Sequence, residues 1–143
     1  FVTVSDDIKA LQSVHGWNST DGTTTVLLKT GANLGAADAA QDSNIITISA
    51  DIATHTYATF AAGTSTYAQL EGTAITAMGV TGALDAAAVV LVAVDDGVST
   101  GLWQFTSADV INNAVAASEI ELIGVLTGVA NAAALVVGDF IFS

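Results

Sequence analysis

The sequence predicts an all-β fold: an antiparallel sandwich or jelly-roll-like barrel of about 8–10 short strands, with one or two short helices. Three observations predict it. β-Branched, apolar runs alternate with Gly-, Asn- and Asp-containing turn signals roughly every ten residues. Ala, Gly, Thr and Val dominate, so layers can pack closely. Runs such as Val89–Val94 are apolar without a break, which calls for cover on both faces. In a subunit this small, another copy of the chain is one candidate for that cover. A chain of 143 residues is read as a single β domain spanning 1–143.

Phe1, Val2, Thr3 and Val4 form a short β-prone start. It is either an ordinary edge strand or, lacking a neighbour in its own chain, a strand donated to a neighbouring subunit. Ser5-Asp6-Asp7 signals a helix start, with Ile8, Leu11 and Val14 at helical spacing and His15-Gly16 as its close. Trp17 to Gly22 reads as a turn, Thr23 to Lys29 as a strand, and Thr30 to Asn44 as a loop or single helical turn. Asn44 to Ala50 is a strand by its isoleucines. After a turn at Asp51–Thr54, alternation predicts a strand over His55–Ala61. Gly63-Thr64-Ser65 turns the chain, Tyr67–Glu71 pairs back, and Thr73–Val80 adds another strand. Val89–Val94 and Leu102–Thr106, joined by Asp95–Gly101, read as a hairpin. An acidic, amide-rich loop from Asp109 to Glu119 and two apolar runs complete the chain. The stretch from Ile75 echoes the stretch from Ile120 (Gly-Val, then Thr-Gly, then an Ala-rich turn). A duplicated unit and low-complexity convergence both account for that echo.

Composition excludes several functions. Lys9 and Lys29 are the only basic residues against 14 acids, for a net charge of −12. A nucleic-acid groove or an anionic membrane surface needs cations that this chain lacks. No apolar run is long enough for a spanning helix. Absence of Cys rules out a disulfide scaffold and thiolate metal sites. The chain has neither an initiator Met nor a signal-peptide pattern, so it is expected to start at a processing site or to be one piece of a longer protein.

Acidity has two readings: solubility for an apolar chain, or calcium, whose hard charge suits clustered carboxylate and amide oxygens. Calcium candidates are Asp95 and Asp96 in the hairpin turn, and Asp109, Asn112, Asn113 and Glu119 in the later loop. Against an EF-type loop the second set has the wrong third and sixth positions, and its last acid falls one place early. The competing reading makes Asp95-Asp96 a plain turn and Ser107-Ala108-Asp109 a helix cap. His15 and His55 sit in no ligand cluster. The sequence holds no G-x-S-x-G elbow, GxGxxG or Walker pattern. Adjacent acids in a solvated turn make poor acid–base partners. No catalytic residue is therefore assigned.

Leu102-Trp103-Gln104-Phe105-Thr106-Ser107-Ala108-Asp109, continuing through Ser118 to Val129 and ending in Gly138-Asp139-Phe140-Ile141-Phe142-Ser143, resembles the C-terminal region of secreted bacterial proteins of the RTX and S-layer-like kind. An aromatic W-x-F strand, an acidic loop, a Leu-x-Gly-Val strand and a terminal acid before apolar residues carry the resemblance, which covers roughly the last third of the chain. It implies type I secretion, an uncleaved C-terminal export signal, an extracellular or cell-surface location and some support for calcium. The chain departs from that family in having no glycine-rich nonapeptide repeat. Together these readings lead to a non-enzymatic extracellular subunit that self-assembles into a surface layer or filament through strand pairing. The alternative is a calcium-dependent adhesin or carbohydrate-binding module, with Trp17, Tyr57, Tyr67 or Trp103 stacking on sugar rings.

Overall fold

The computed structural model describes residues 2–4, 28–31, 33–34, 45–48, 52–79, 89–108, 114–136 and 139–142. The expected helix at Ser5–Gly16, the turn at Trp17–Gly22, most of the strand begun at Thr23, and Phe1 lie outside them. The fold is mostly β. Strands β2 (Leu28–Gly31), β3 (Ile45–Ile48), β4 (Val89–Asp95), β5 (Ser99–Thr106) and β6 (Ile120–Thr127) form one five-stranded sheet in that order. β1 (Val2–Val4) and β7 (Phe140–Phe142) form a separate two-stranded ribbon.

The expected antiparallel arrangement holds for half of the sheet. β4, β5 and β6 are antiparallel neighbours, whereas β2, β3 and β4 run parallel. Parallel neighbours cannot be joined by a tight turn and need a crossover. Between β3 and β4 the crossover carries α1 (Tyr57–Ala61) and α2 (Tyr67–Met78). The strands expected at His55–Ala61, Tyr67–Glu71 and Thr73–Val80 are thus replaced by two helices. Their caps explain why. Thr66 Oγ1 accepts from Gln69 N–H while Gln69 Oε1 accepts from Thr66 N–H at 2.8 Å, a capping box that starts α2. Leu70, Ala74 and Met78, four residues apart, form its buried stripe. Gly79, at φ +69°, ends it in a conformation that side chains resist. Thr56 caps α1 in the same manner, accepting from Thr59 N–H.

β4 is buried along its whole length, and alternation sends its residues into two cores. Val90, Val92 and Val94 join Ile46, Ile48, Trp103, Phe105 and the apolar stripe of α2. Leu91 and Ala93 join Ile45, Leu102, Ala132 and Leu135, where a 3₁₀ turn at Ala132–Ala134 closes the far side. Both faces of β4 are therefore covered as expected, but by elements of the same chain and not by a second copy. Among the described residues, helices and this turn stand where a sandwich would place its second sheet.

Candidate functional site

Of the carboxylates singled out for calcium, the described ones, Asp95, Asp96 and Glu119, lie beyond the two ends of β5. Asp95 and Asp96 belong to the turn that joins β4 to β5, and Glu119 precedes β6. In the turn, Gly97 at φ +77° supplies the left-handed residue, and Asp96 N–H donates to Ser99 O at 3.0 Å. Asp96 Oδ1 accepts from Val98 N–H at 3.0 Å and Ser99 N–H at 2.7 Å. Its Oδ2 accepts at 2.9 Å from Tyr57 N–H, at the free first turn of α1. Asp95 is only 2% exposed. Its Oδ1 accepts from Gly97 N–H at 3.2 Å, its Oδ2 from buried Ala132 N–H at 2.8 Å, and its backbone carbonyl from Ile52 N–H at 2.8 Å. The two acids therefore hold three distant segments against the hairpin.

Tyr57 deepens this junction. Its hydroxyl donates to Val94 O at 2.8 Å and accepts from Trp103 Nε1–H at 3.1 Å. Burial, above all, pushes that hydroxyl well above the ordinary phenol value, because the phenolate would lose its water. The ring lies so close to Gly101 that a Cβ there would overlap it, so β5 needs glycine at that place. Tyr57 is 3% exposed and Trp103 is fully buried. Neither can stack on a sugar, which corrects the carbohydrate expectation for both. Tyr67, 39% exposed, remains accessible, and Trp17 lies outside the described residues.

Glu119 makes a second clasp. Oε1 accepts from Ala108 N–H and Oε2 from Ala116 N–H, each at 2.8 Å, with the side chain 6% exposed. It thereby pins the two ends of the segment that carries Asp109, Asn112 and Asn113, which themselves lie outside the described residues. Val115 N–H reaches Gly79 O at 3.3 Å, fastening this loop to the end of α2. Where the residues before Glu119 are described, Ala117–Glu119 is a 3₁₀ turn. Among the described residues, no three His, Cys, Asp or Glu side chains gather into a metal-sized cluster. Sequence reasoning placed these acids in turns, but it missed that backbone amides take up their oxygens. The spacing of Glu119 from Ala116, a capping distance, was the available signal.

His55, at φ +50°, is the one described non-glycine residue in the left-handed region. Its Nδ1 lies 3.1 Å from Ser65 Oγ. Ser65 Oγ–H donates to Thr59 Oγ1, and Thr59 Oγ1–H to Thr56 O, both at 2.8 Å. Each hydroxyl spends its one proton down the chain, so His55 Nδ1 must be the donor to Ser65. That polarity is opposite to a histidine base activating a serine nucleophile.

The N-terminal strand has a partner in its own chain: β1 pairs in parallel with β7, Val2 opposite Phe140 and Val4 opposite Phe142. Each strand of the ribbon keeps one edge without a strand neighbour among the described residues. No helix among the described residues is long and apolar enough to cross a membrane. Comparison of the chain with known protein families, curated proteins and solved structures gives no match.

Proposed function

We propose that this chain is a non-enzymatic structural domain of an extracellular protein, which self-associates into a surface layer or filament by strand pairing. The observation that carries this reading is the β1–β7 ribbon. Two strands of three residues each are marginal by themselves, since independent stability calls for a third strand or a packed face. A strand from a neighbouring subunit, added to an open edge of the ribbon, would complete it. The disposition of the turn acids supports the same reading: their oxygens are bound to backbone amides, an arrangement suited to holding a fold. The resemblance to type I-secreted exoproteins supports the extracellular setting.

A calcium-dependent adhesin is the second reading, favoured by one observation. Glu119 holds Ala108 and Ala116, on either side of the sequence that contains Asp109, Asn112 and Asn113, and carboxylate and amide oxygens of that kind suit calcium. One experiment separates the two. Sedimentation of the full chain and of a variant lacking residues 1–4 is measured in calcium and in EDTA. Large particles in both buffers, reduced by the deletion, support ribbon-mediated assembly. Particles that the deletion leaves intact remove the ribbon from it. Collapse to monomer in EDTA alone favours the calcium reading.

A further inference from the structure

The five-stranded sheet ends in β6, and among the described residues no strand lies on its far side. We infer that this edge docks a second copy of the chain, β6 against β6, antiparallel about a two-fold axis. The inference rests on the assembly reading above and gives it a surface distinct from the ribbon.

An irregularity in β6 decides how it can pair with its own copy. Directly opposed residues of an antiparallel pair project to the same face, and successive residues of a regular strand alternate faces. Full overlap of residues 120–127 with their own copy sets Ile120 opposite Thr127, Glu121 opposite Leu126, Leu122 opposite Val125 and Ile123 opposite Gly124. In a regular strand every such pair would mismatch, one side chain up and the other down. Here the register shifts: Trp103 opposes Leu122, but Leu102 opposes Gly124, so Ile123 is an extra residue. Leu122 and Val125 consequently oppose Trp103 and Gly101, two residues of one face of β5, while Glu121 and Leu126 oppose Gln104 and Thr100 on the other. The bulge makes β6 complementary to its own reverse.

Backbone groups and charge agree. Leu122 N–H donates to the Tyr67 hydroxyl at 3.2 Å, so it points away from β5. The same shift turns Val125 N–H outward, and the pair can exchange both bonds across the axis. Glu121 is the one charged residue in β6. In this register its two copies stand four ladder positions apart along the pair, as Gln104 and Thr100 do on β5, about 13 Å and beyond the screening length of about 8 Å at physiological salt. Pro and Lys, which commonly blunt edges, are absent from the strand, and Ile123 and Val125 are 44% and 39% exposed. Tyr67 is the competitor, holding Leu122 N–H in the single subunit.

Analytical ultracentrifugation of the full chain tests this, at about 0.15 M salt and at higher salt, where repulsion between two acidic subunits is screened. A dimer that tightens with salt is expected. Val125→Pro deletes an outward N–H that the chain's own sheet does not use, and Val125→Lys leaves the backbone intact. The proline should weaken association by about tenfold or more, the worth of one or two lost edge bonds, and the lysine should weaken it by placing a charge on the pairing edge, both at unchanged circular dichroism. If the proline variant misfolds, the lysine variant decides. Tyr67→Phe should tighten association by removing the competitor. A chain that stays monomeric at millimolar concentration in both salts overturns the inference. So does association that both Val125 variants leave unchanged, and if deleting residues 1–4 alone abolishes it, the ribbon reading survives and the β6 edge does not. Association lost in the Val125 variants but kept in the deletion supports the β6 edge and removes the ribbon.

Discussion

The Asp95–Asp96 turn and the Glu119 loop use the same chemistry at different reach. In both, a carboxylate accepts from backbone N–H groups that would otherwise lie unsatisfied. Glu119 binds amides 3 and 11 residues away, so it closes one loop. Asp95 and Asp96 bind amides 37 and 39 residues away, at Ala132 and Tyr57. Their turn joins the hairpin to the start of α1 on one side and to the 3₁₀ turn on the other. A local clasp opens a loop when it fails, whereas a junction between distant segments releases both cores.

Asp95→Asn should have the largest effect. It replaces one acceptor oxygen with an NH₂ group that must face the N–H of Gly97 or Ala132. Leaving a buried amide unpaired beside a lost charge-assisted bond costs about 3 kcal/mol. Chemical denaturation should show that loss as a lower midpoint at constant m-value. A change below 1 kcal/mol (roughly the worth of one exposed bond) would sink the idea that this turn is a junction.

The hairpin around this turn was legible in the sequence because its information is local. Val89–Val94, the Asp-Asp-Gly turn and Leu102–Thr106 lie within one short span, and the observed hairpin has that order, although its second strand starts at Ser99, inside the expected turn. The β3 strand was equally plain from Ile45, Ile46 and Ile48. The parallel pairing of β2, β3 and β4 was not legible, because no turn chemistry records a crossover. α2 was misread for another reason. Gly72, Thr73 and Thr76 lower its helix propensity, whereas Thr66-x-x-Gln69 and the Leu70, Ala74, Met78 spacing carried the helix signal. The candidate acids were legible as turn residues, but their partners were not, since Ala132 and Tyr57 offer only backbone amides that any residue could supply.

Tyr57→Phe should rank second, with a cost near 2 kcal/mol, because Trp103 Nε1–H and Val94 O lose their shared partner in the core. The pH dependence identifies the cause. The hydroxyl titrates above its unfolded value of 10.0 in the folded chain. Its contribution is therefore complete below pH 10, and is lost as pH rises past that value, since the unfolded chain ionises first. The advantage of the parent chain over Tyr57→Phe should shrink by about 1.4 kcal/mol per pH unit above 10. Equal slopes for the two proteins between pH 9 and 11 (roughly one unit either side of the free phenol value) would show that the hydroxyl is not held protonated by burial.

Glu119→Gln should be the smallest of the three, at about 1 kcal/mol. The amide keeps one oxygen for Ala108 or Ala116 and turns NH₂ toward the other, so one clasp bond fails and one survives. Because both partners sit in the same loop, the loss should appear as local opening before global unfolding. Hydrogen exchange at Ala108 and Ala116 should quicken by about fivefold, the equivalent of 1 kcal/mol, while exchange at Val92 and Trp103 stays near the parent rate. The strands then remain protected even though the loop between β5 and β6 has loosened. If Val92 and Trp103 instead lose protection along with the loop, Glu119 is as much a junction as Asp95, and sequence separation is the wrong measure of what a buried carboxylate holds together.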